Sequence, residues 1–262
     1  METNLALMIG NSRFHWGLLT RQNLKTTWDT DYLTPDIVHQ LLQLPTLEGL
    51  LSHILPFGFP KDYHLPTSLF LASVVPSQTL HWQGKYNVNL ISLEQVPLQR
   101  LYITLGIDRA LALWGAGNYW GFPVLVIDGG TALTFTGADA KQTLLGGAIL
   151  PGLGLQLTSL GERTAQLPNV ILPKSLPQRY AKNTQEAIQS GVIYTLIAGI
   201  KDFIEAWLED FPHSPVMITG GDRHQLYHYL QIQYPAITKH MIVEKNLIFM
   251  GMQEIIFNTH KD

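Results

Sequence analysis

Val124-Leu125-Val126-Ile127-Asp128-Gly129-Gly130-Thr131-Ala132-Leu133-Thr134 reads as an apolar strand that stops on an acid, two glycines and a hydroxyl. Glycine lets a backbone approach a ligand closely and turn its N–H groups toward anionic oxygens, and hydroxyls add donors, so the stretch has the make-up of a phosphate loop. An acid ending a buried strand needs a metal, a positive partner or several hydrogen bonds to offset its desolvation, which makes Asp128 a candidate cation ligand. Near the N-terminus, Leu5-Ala6-Leu7-Met8-Ile9-Gly10-Asn11-Ser12 follows the same grammar, with Met8 standing where the acid would be. A tight hairpin turn accounts for either segment alone, since Asp-Gly and Gly-Gly are turn dipeptides. Their recurrence in successive halves of the chain moves the balance toward function.

Other segments carry chemistry at glycine-rich junctions. Gly106-Ile107-Asp108-Arg109 opens a helical pattern, where an acid is favoured by the helix dipole and Arg109 could form an ordinary surface ion pair with it. Asn183-Thr184 precedes another helical run, and on local sequence Thr184 reads as a helix N-cap. Gly146 to Gly152 suits close backbone approach to a ligand or a neighbouring strand, or simply bulge and turn geometry. Thr219-Gly220-Gly221-Asp222 ends a short apolar strand. The 10 histidines show no ligand spacing; His224 and His228 are four apart, but lack a third ligand and an acidic base, so they read as surface residues. Cysteine is absent, which excludes disulfides, zinc-thiolate sites and thiol nucleophiles.

The elements that must position these residues alternate in a repeated order. A meander of strands is expected over Leu5 to Ile9, Phe14 to Leu19 and Lys25 to Thr30, followed by a helix starting at Thr34-Pro35. Strands are expected at Leu69 to Val75 and Val88 to Ser92, and a helix from Gly106 to Tyr119, closed by Gly121. The grammar then repeats: strands Val124 to Ile127, Ala132 to Thr136 and Leu144 to Ile149, helices near 152–162 and 184–208, a strand at Val216 to Thr219, and a last helix from Asn246 to Phe257. This is an α/β fold of two similar halves, 1–117 and 118–262, expected to pack with a cleft between them. The 262 residues, 46% apolar and 14% charged, suffice for two cores. A net charge of −3 without a basic stripe argues against nucleic acid. No apolar run approaches the roughly 20 residues of a membrane span, and the N-terminus lacks a basic leader, so a cytoplasmic location without a membrane partner is expected.

Taken in order, Met8-Ile9-Gly10-Asn11-Ser12, Gly106-Ile107-Asp108-Arg109, Asp128-Gly129-Gly130-Thr131-Ala132, Gly146 to Gly152, Asn183-Thr184 and Thr219 to Asp222 resemble the type III pantothenate kinases, members of the actin and hexokinase superfamily. The resemblance spans about residues 4 to 255 and implies two halves of ribonuclease H-like topology. It implies ATP-dependent phosphorylation of the terminal hydroxyl of pantothenate, the first step of coenzyme A synthesis, by a homodimer using Mg²⁺ with ATP and a monovalent cation, K⁺ or NH₄⁺. On this resemblance Asp108 is the proton acceptor, and Tyr102, Gly106, Ile107, Arg109 and Thr184 are substrate-side. The nucleotide would meet Met8, Ile9, Gly10, Asn11, Ser12, Arg13, Phe14 and His15, with Thr131 at the second loop, and Asp128 would hold the monovalent cation. The family's first loop usually has an aspartate where this chain has Met8, and a thioether is a poor ligand for Mg²⁺. More cation chemistry should therefore fall on Asp128. The same departure leaves open a catalytically weak, nucleotide-responsive accessory protein of this family.

Overall fold

Seven consecutive buried residues make β1 (Thr3–Ile9) the centre of a sheet, as expected of a strand covered on both faces. It pairs antiparallel with β2 (Phe14–Thr20) and parallel with β4 (Leu69–Ser73). β3 (Leu24–Thr30) and β5 (Val88–Leu90) flank these, giving the order β3-β2-β1-β4-β5. The structure, a computed structural model, describes residues 3–43, 47–55, 65–66, 68–82, 88–164 and 166–258. Leu5, Leu7 and Ile9 share one face of β1 and enter a core with Phe14, Trp16, Leu69 and Leu71. That core is capped by Val38 of α1 (Pro35–Leu42) and Leu50 and Ile54 of α2 (Glu48–Ile54). α1 begins where the sequence expects it, with Thr34 accepting the Ile37 N–H at 3.5 Å and Pro35 in the first turn. The short α3 (Pro76–Thr79) follows β4, and α4 (Ile107–Trp120) follows β5.

The second half repeats this plan. β6 (Val124–Gly129), β7 (Ala132–Ala138) and β8 (Leu144–Pro151) form an antiparallel meander. β9 (Val216–Thr219) and β10 (Met241–Val243) add on the far side of β6 in parallel. The sheet order is β8-β7-β6-β9-β10, the counterpart of the first. Between β8 and β9 lie α5 (Leu153–Arg163) and α6 (Thr184–Asp210); α7 (Arg223–Gln233) and α8 (Pro235–Thr238) join β9 to β10. α6 is long and apolar enough by length and composition to match a membrane span, with a mean hydropathy of 1.2 over its best window. This corrects the expectation that no segment comes near one. Its apolar stripe, Ile193, Leu196, Ile197, Ile200 and Ile204, enters the core of this half beside Ile127, Ile218 and Leu226.

The C-terminal helix α9 (Leu247–Asn258) returns to the first sheet. One compact unit contains residues through Gly115 together with the segment from Asn246, and the other runs from Ala116 to Lys245. α9 lies on the first sheet because that sheet leaves room for it. A Cβ on Gly17 would meet the Phe249 ring at 2.7 Å, and Gln253 donates to the Thr20 carbonyl at 3.0 Å. Thr27 donates its hydroxyl to Asn246 Oδ1 at 3.1 Å. α9 also crosses α4 at backbone distance: a Cβ on Gly115 would sit 2.3 Å from the Leu247 carbonyl oxygen, and one on Gly251 2.1 Å from that of Leu111.

Candidate functional site

Strand register makes Met8 the counterpart of Asp128. Met8 pairs with His15 on β2 and Ala72 on β4; Asp128 pairs with Thr134 on β7 and Thr219 on β9. One residue separates each from the loop glycine, Gly10 or Gly130. The first loop closes by a Gly10 N–H to Arg13 carbonyl bond of 3.1 Å, the second by Gly130 N–H to Ala132 at 3.0 Å. The environments then diverge. Met8 is 1% exposed, so position 8 offers a cation neither charge nor access.

In the first loop Asn11, Ser12 and Arg13 are exposed, whereas Ile9 and Phe14 are fully buried. Phe14 packs edge-on against Trp16 and Trp82. Of the segment assigned to the nucleotide, Met8, Ile9 and Phe14 therefore have only backbone to offer. The Tyr32 hydroxyl donates to the Gly10 carbonyl and steadies the turn. His15 lies with its Nε2 3.0 Å from where a Gly10 Cβ would be.

Asp108 stands in the first turn of α4, half-buried, with Oδ1 accepting the Arg109 N–H at 2.8 Å. Gly106 leaves room for that carboxylate, since a Cβ there would lie 2.4 Å from the same oxygen. Burial pushes the Asp108 carboxyl above the ordinary carboxylate range, against the Arg109 N–H bond and the guanidinium charge, which pull it down. Arg109 is 7% exposed and donates to the Tyr102 hydroxyl at 3.0 Å. It is thus no ordinary surface ion-pair residue. Tyr102, Gly106, Asp108 and Arg109 are gathered at one helix terminus, with the Ile107 side chain buried in its first turn. Val74 joins this cluster to the first loop: its N–H donates to Ile9 at 3.1 Å, and its side chain faces Gly106. Both motifs thus lie beyond the C-terminal ends of β1 and β4, where open α/β sheets bind ligands.

The second loop is built on close backbone approach. A Cβ on Gly152 would collide with the Gly130 carbonyl oxygen at 2.0 Å and that of Thr131 at 2.8 Å, while the Gly152 N–H donates to Thr131 at 2.9 Å. Gly220 has φ +88°, and a Cβ there would lie 2.3 Å from Asp128 Oδ1. Asp128 thus aims a carboxylate oxygen into a cradle that exists because Gly220 has no side chain. Such a hard oxygen donor suits Mg²⁺ or K⁺, whereas the thioether of Met8 does not. Asp222 closes the cradle, its N–H donating to Gly129 at 2.8 Å, and burial raises its carboxyl above the ordinary range. Thr131 is exposed at the tip. Sequence reasoning named Asp222 as the end of a glycine turn; the left-handed Gly220 is what brings it against Gly129.

Thr184 is not the helix cap. Asn183 is, its Oδ1 accepting the Glu186 N–H at 2.9 Å, and Thr184, at the first helical position, lines a groove of about 420 Å³ between α5 and α6. Gln156, Leu160, Ile188 and Thr195 line the same groove. His224 and His228 are exposed on α7, and no cluster of three metal-ligating side chains occurs among the described residues.

A family model described as type III pantothenate kinase matches residues 4–206. A curated type III pantothenate kinase from Nostoc sp. is 56% identical over 261 residues, covering 96% of this chain and 94% of the relative. Another, from Synechocystis sp., is 43% identical over 253 residues, 96% of this chain and 89% of the relative. Among solved structures, one from Campylobacter jejuni described as a Baf family transcriptional activator superposes with a TM-score of 0.62 at 22% identity, covering 97% of this chain and 98% of its own. One from Sinorhizobium meliloti described as a 2-dehydro-3-deoxygalactonokinase gives 0.57 at 12%, covering 99% and 97%. At these identities the likeness is one of fold.

Proposed function

The chain belongs to the type III pantothenate kinase family, and from that we infer that it transfers the γ-phosphoryl group of ATP to the terminal hydroxyl of pantothenate, the first step of coenzyme A synthesis. The observation that carries the assignment of roles is Asp108, an acid desolvated in the first turn of α4, fixed by one backbone N–H and given room by Gly106. In the transfer the hydroxyl oxygen attacks the γ-phosphorus, the bond to the β–γ bridging oxygen breaks, ADP leaves, and the hydroxyl proton passes to the Asp108 carboxylate. A raised carboxyl is a better acceptor than an ordinary one, and in a loose transition state its orientation of the hydroxyl counts for at least as much. Arg109, aligned by Tyr102, suits the pantothenate carboxylate through paired N–H donors. Thr184 is a further substrate contact, a reading supported by its exposed position on the α5–α6 groove.

Backbone N–H groups of the Gly10 and Gly130 turns and the hydroxyls of Ser12 and Thr131 are assigned to the ATP phosphates. The divalent ion that accompanies ATP supplies charge neutralisation when bound. Asp128 is assigned to the monovalent cation, on the strength of its oxygen in the Gly220 cradle. A homodimer in the cytoplasm completes the reading. Leu145 and Ile149, 52% and 65% exposed on the edge strand β8, are apolar surface of the kind a subunit interface covers. The test is ATP-dependent formation of phosphopantothenate by purified protein, followed by mass spectrometry, with and without K⁺. Turnover that needs K⁺ and falls by roughly 10²-fold or more in Asp108→Asn is expected. Turnover undiminished in Asp108→Asn removes that residue as acceptor, and nucleotide binding without turnover for any divalent ion favours the accessory reading.

A further inference from the structure

Asp29 has no part in the roles above, yet it holds both basic side chains of the first loop. It lies on β3 directly opposite His15, whose own partner across β1 is Met8. Its Oδ1 accepts from His15 Nδ1 at 2.8 Å and its Oδ2 sits 3.6 Å from Arg13 Nη1. An ionised carboxylate only accepts hydrogen bonds, so the proton between Asp29 and His15 is on Nδ1. Asp29 is well placed to be ionised: its carboxyl is held below the ordinary range, first by the His15 hydrogen bond, then by the charges of His15 and Arg13, against partial burial. With Nδ1 so tied, the other ring nitrogen is turned toward the Gly10 α-carbon, at the loop itself. The row Ala72, Met8, His15, Asp29 runs across four strands. In the second sheet the matching positions are Thr219, Asp128, Thr134 and Ile149, with an acid second in the row and none at its end.

We propose that Asp29 is a positioning residue for phosphate binding: it fixes Arg13, and holds His15 against the Gly10 turn, so that the first loop neutralises the ATP phosphates directly with the Arg13 guanidinium, in place of a cation held by an acid at position 8. The inference rests on the reading that this loop meets the ATP phosphates. It follows from charge and geometry together. Where the second loop presents a carboxylate, the first presents an arginine and an imidazole, both within ion-pair distance of one carboxylate. Side-chain freedom lost in advance is not lost again on binding. As a mere surface ion pair, with His15, Arg13 and Asp29 37%, 54% and 49% exposed, the same contacts would contribute little.

The experiment is steady-state kinetics on the full chain, with thermal unfolding as a control for folding. Asp29→Asn raises KM for ATP roughly tenfold while kcat and KM for pantothenate stay within about twofold, and Asp29→Glu restores most of the loss. A purely structural role would move both Michaelis constants together with Tm. Arg13→Gln separates the inference from its premise. If Arg13→Gln raises KM for ATP and Asp29→Asn does not, positioning by Asp29 is overturned and the loop assignment stands. If neither changes it, both fall. Should Asp29→Asn unfold, His15→Gln, which leaves Asp29 with Arg13, carries the same expected split, and an unchanged KM for ATP in that variant overturns the proposal.

Discussion

Adding one methyl group at Gly152 tests the second loop more sharply than removing any of its side chains. The residue has φ −67°, which alanine adopts without strain, so in the folded chain Gly152→Ala acts through contact and not through backbone strain. Its Cβ would lie 2.0 Å from the Gly130 carbonyl oxygen and 2.8 Å from that of Thr131. Neither obstacle is a flexible side chain; both are loop backbone. The nearer oxygen must retreat by about 1 Å or more, and a displacement of that size in a positioning element costs roughly 10²-fold in rate. Overpacking of this kind destabilises by about 1–3 kcal/mol, which at about 2–4 °C per kcal/mol lowers Tm by several degrees. Gly154→Ala, two residues on in α5, is the matched control, since nothing lies within 4 Å of its Cβ and the site is helical. Gain of helix propensity there stabilises by up to about 1 kcal/mol with unchanged kinetics. The assay is phosphopantothenate formation at varied ATP, beside a thermal melt. Wild-type kcat/KM for ATP in a folded Gly152→Ala protein would refute the claim that Gly152 sets the position of the 130–131 turn.

Asp108→Asn should lower kcat by roughly 10²–10⁴, and in the wild type the acid limb of kcat/KM should fall above the ordinary carboxylate value of 3.8, because burial raises this group. The sign for stability is opposite to that of a paired acid: between 3.8 and the raised value the folded state binds more protons, so stability declines as pH rises through that window. Asp108→Asn should therefore raise Tm at neutral pH, which a melt series against pH checks. Asn183→Ala should cost about 1 kcal/mol by uncapping α6, whereas Thr184→Ala should leave Tm unchanged and raise KM for pantothenate; equal melts for the two variants would contradict the cap assignment. Met8→Asp places a carboxylate at a site 1% exposed and should cost roughly 3–5 kcal/mol without ligand, with Mg²⁺ and ATP restoring part of it. A melt unaffected by the substitution would show that position 8 opens to solvent.

The local grammar of this chain was readable in one dimension. The strand end at Ile9, the Thr34-Pro35 helix start, the Gly106 to Arg109 turn and the repeated meander depend on residue type and spacing within a few positions, and such signals survive without tertiary context. So did the pairing of Met8 with Asp128, which strand register bears out. What required the folded chain was everything set by distant neighbours. The apolar residues of α9 specify burial but not against which element; Gly17 made room for it on the first sheet, and Gly115 and Gly251 let it cross α4. Asn183, not Thr184, became the cap because the chain enters α6 extended at 183. Asp29 gave no local signal; it reaches His15 across 14 residues because two strands align in one register. Sequence alone determined which residues could do chemistry, since residue type sets charge, hydrogen-bonding and backbone freedom. Tertiary structure decided which of them share a solvent environment and a partner, because desolvation and close backbone approach are properties of packing between segments far apart in the chain.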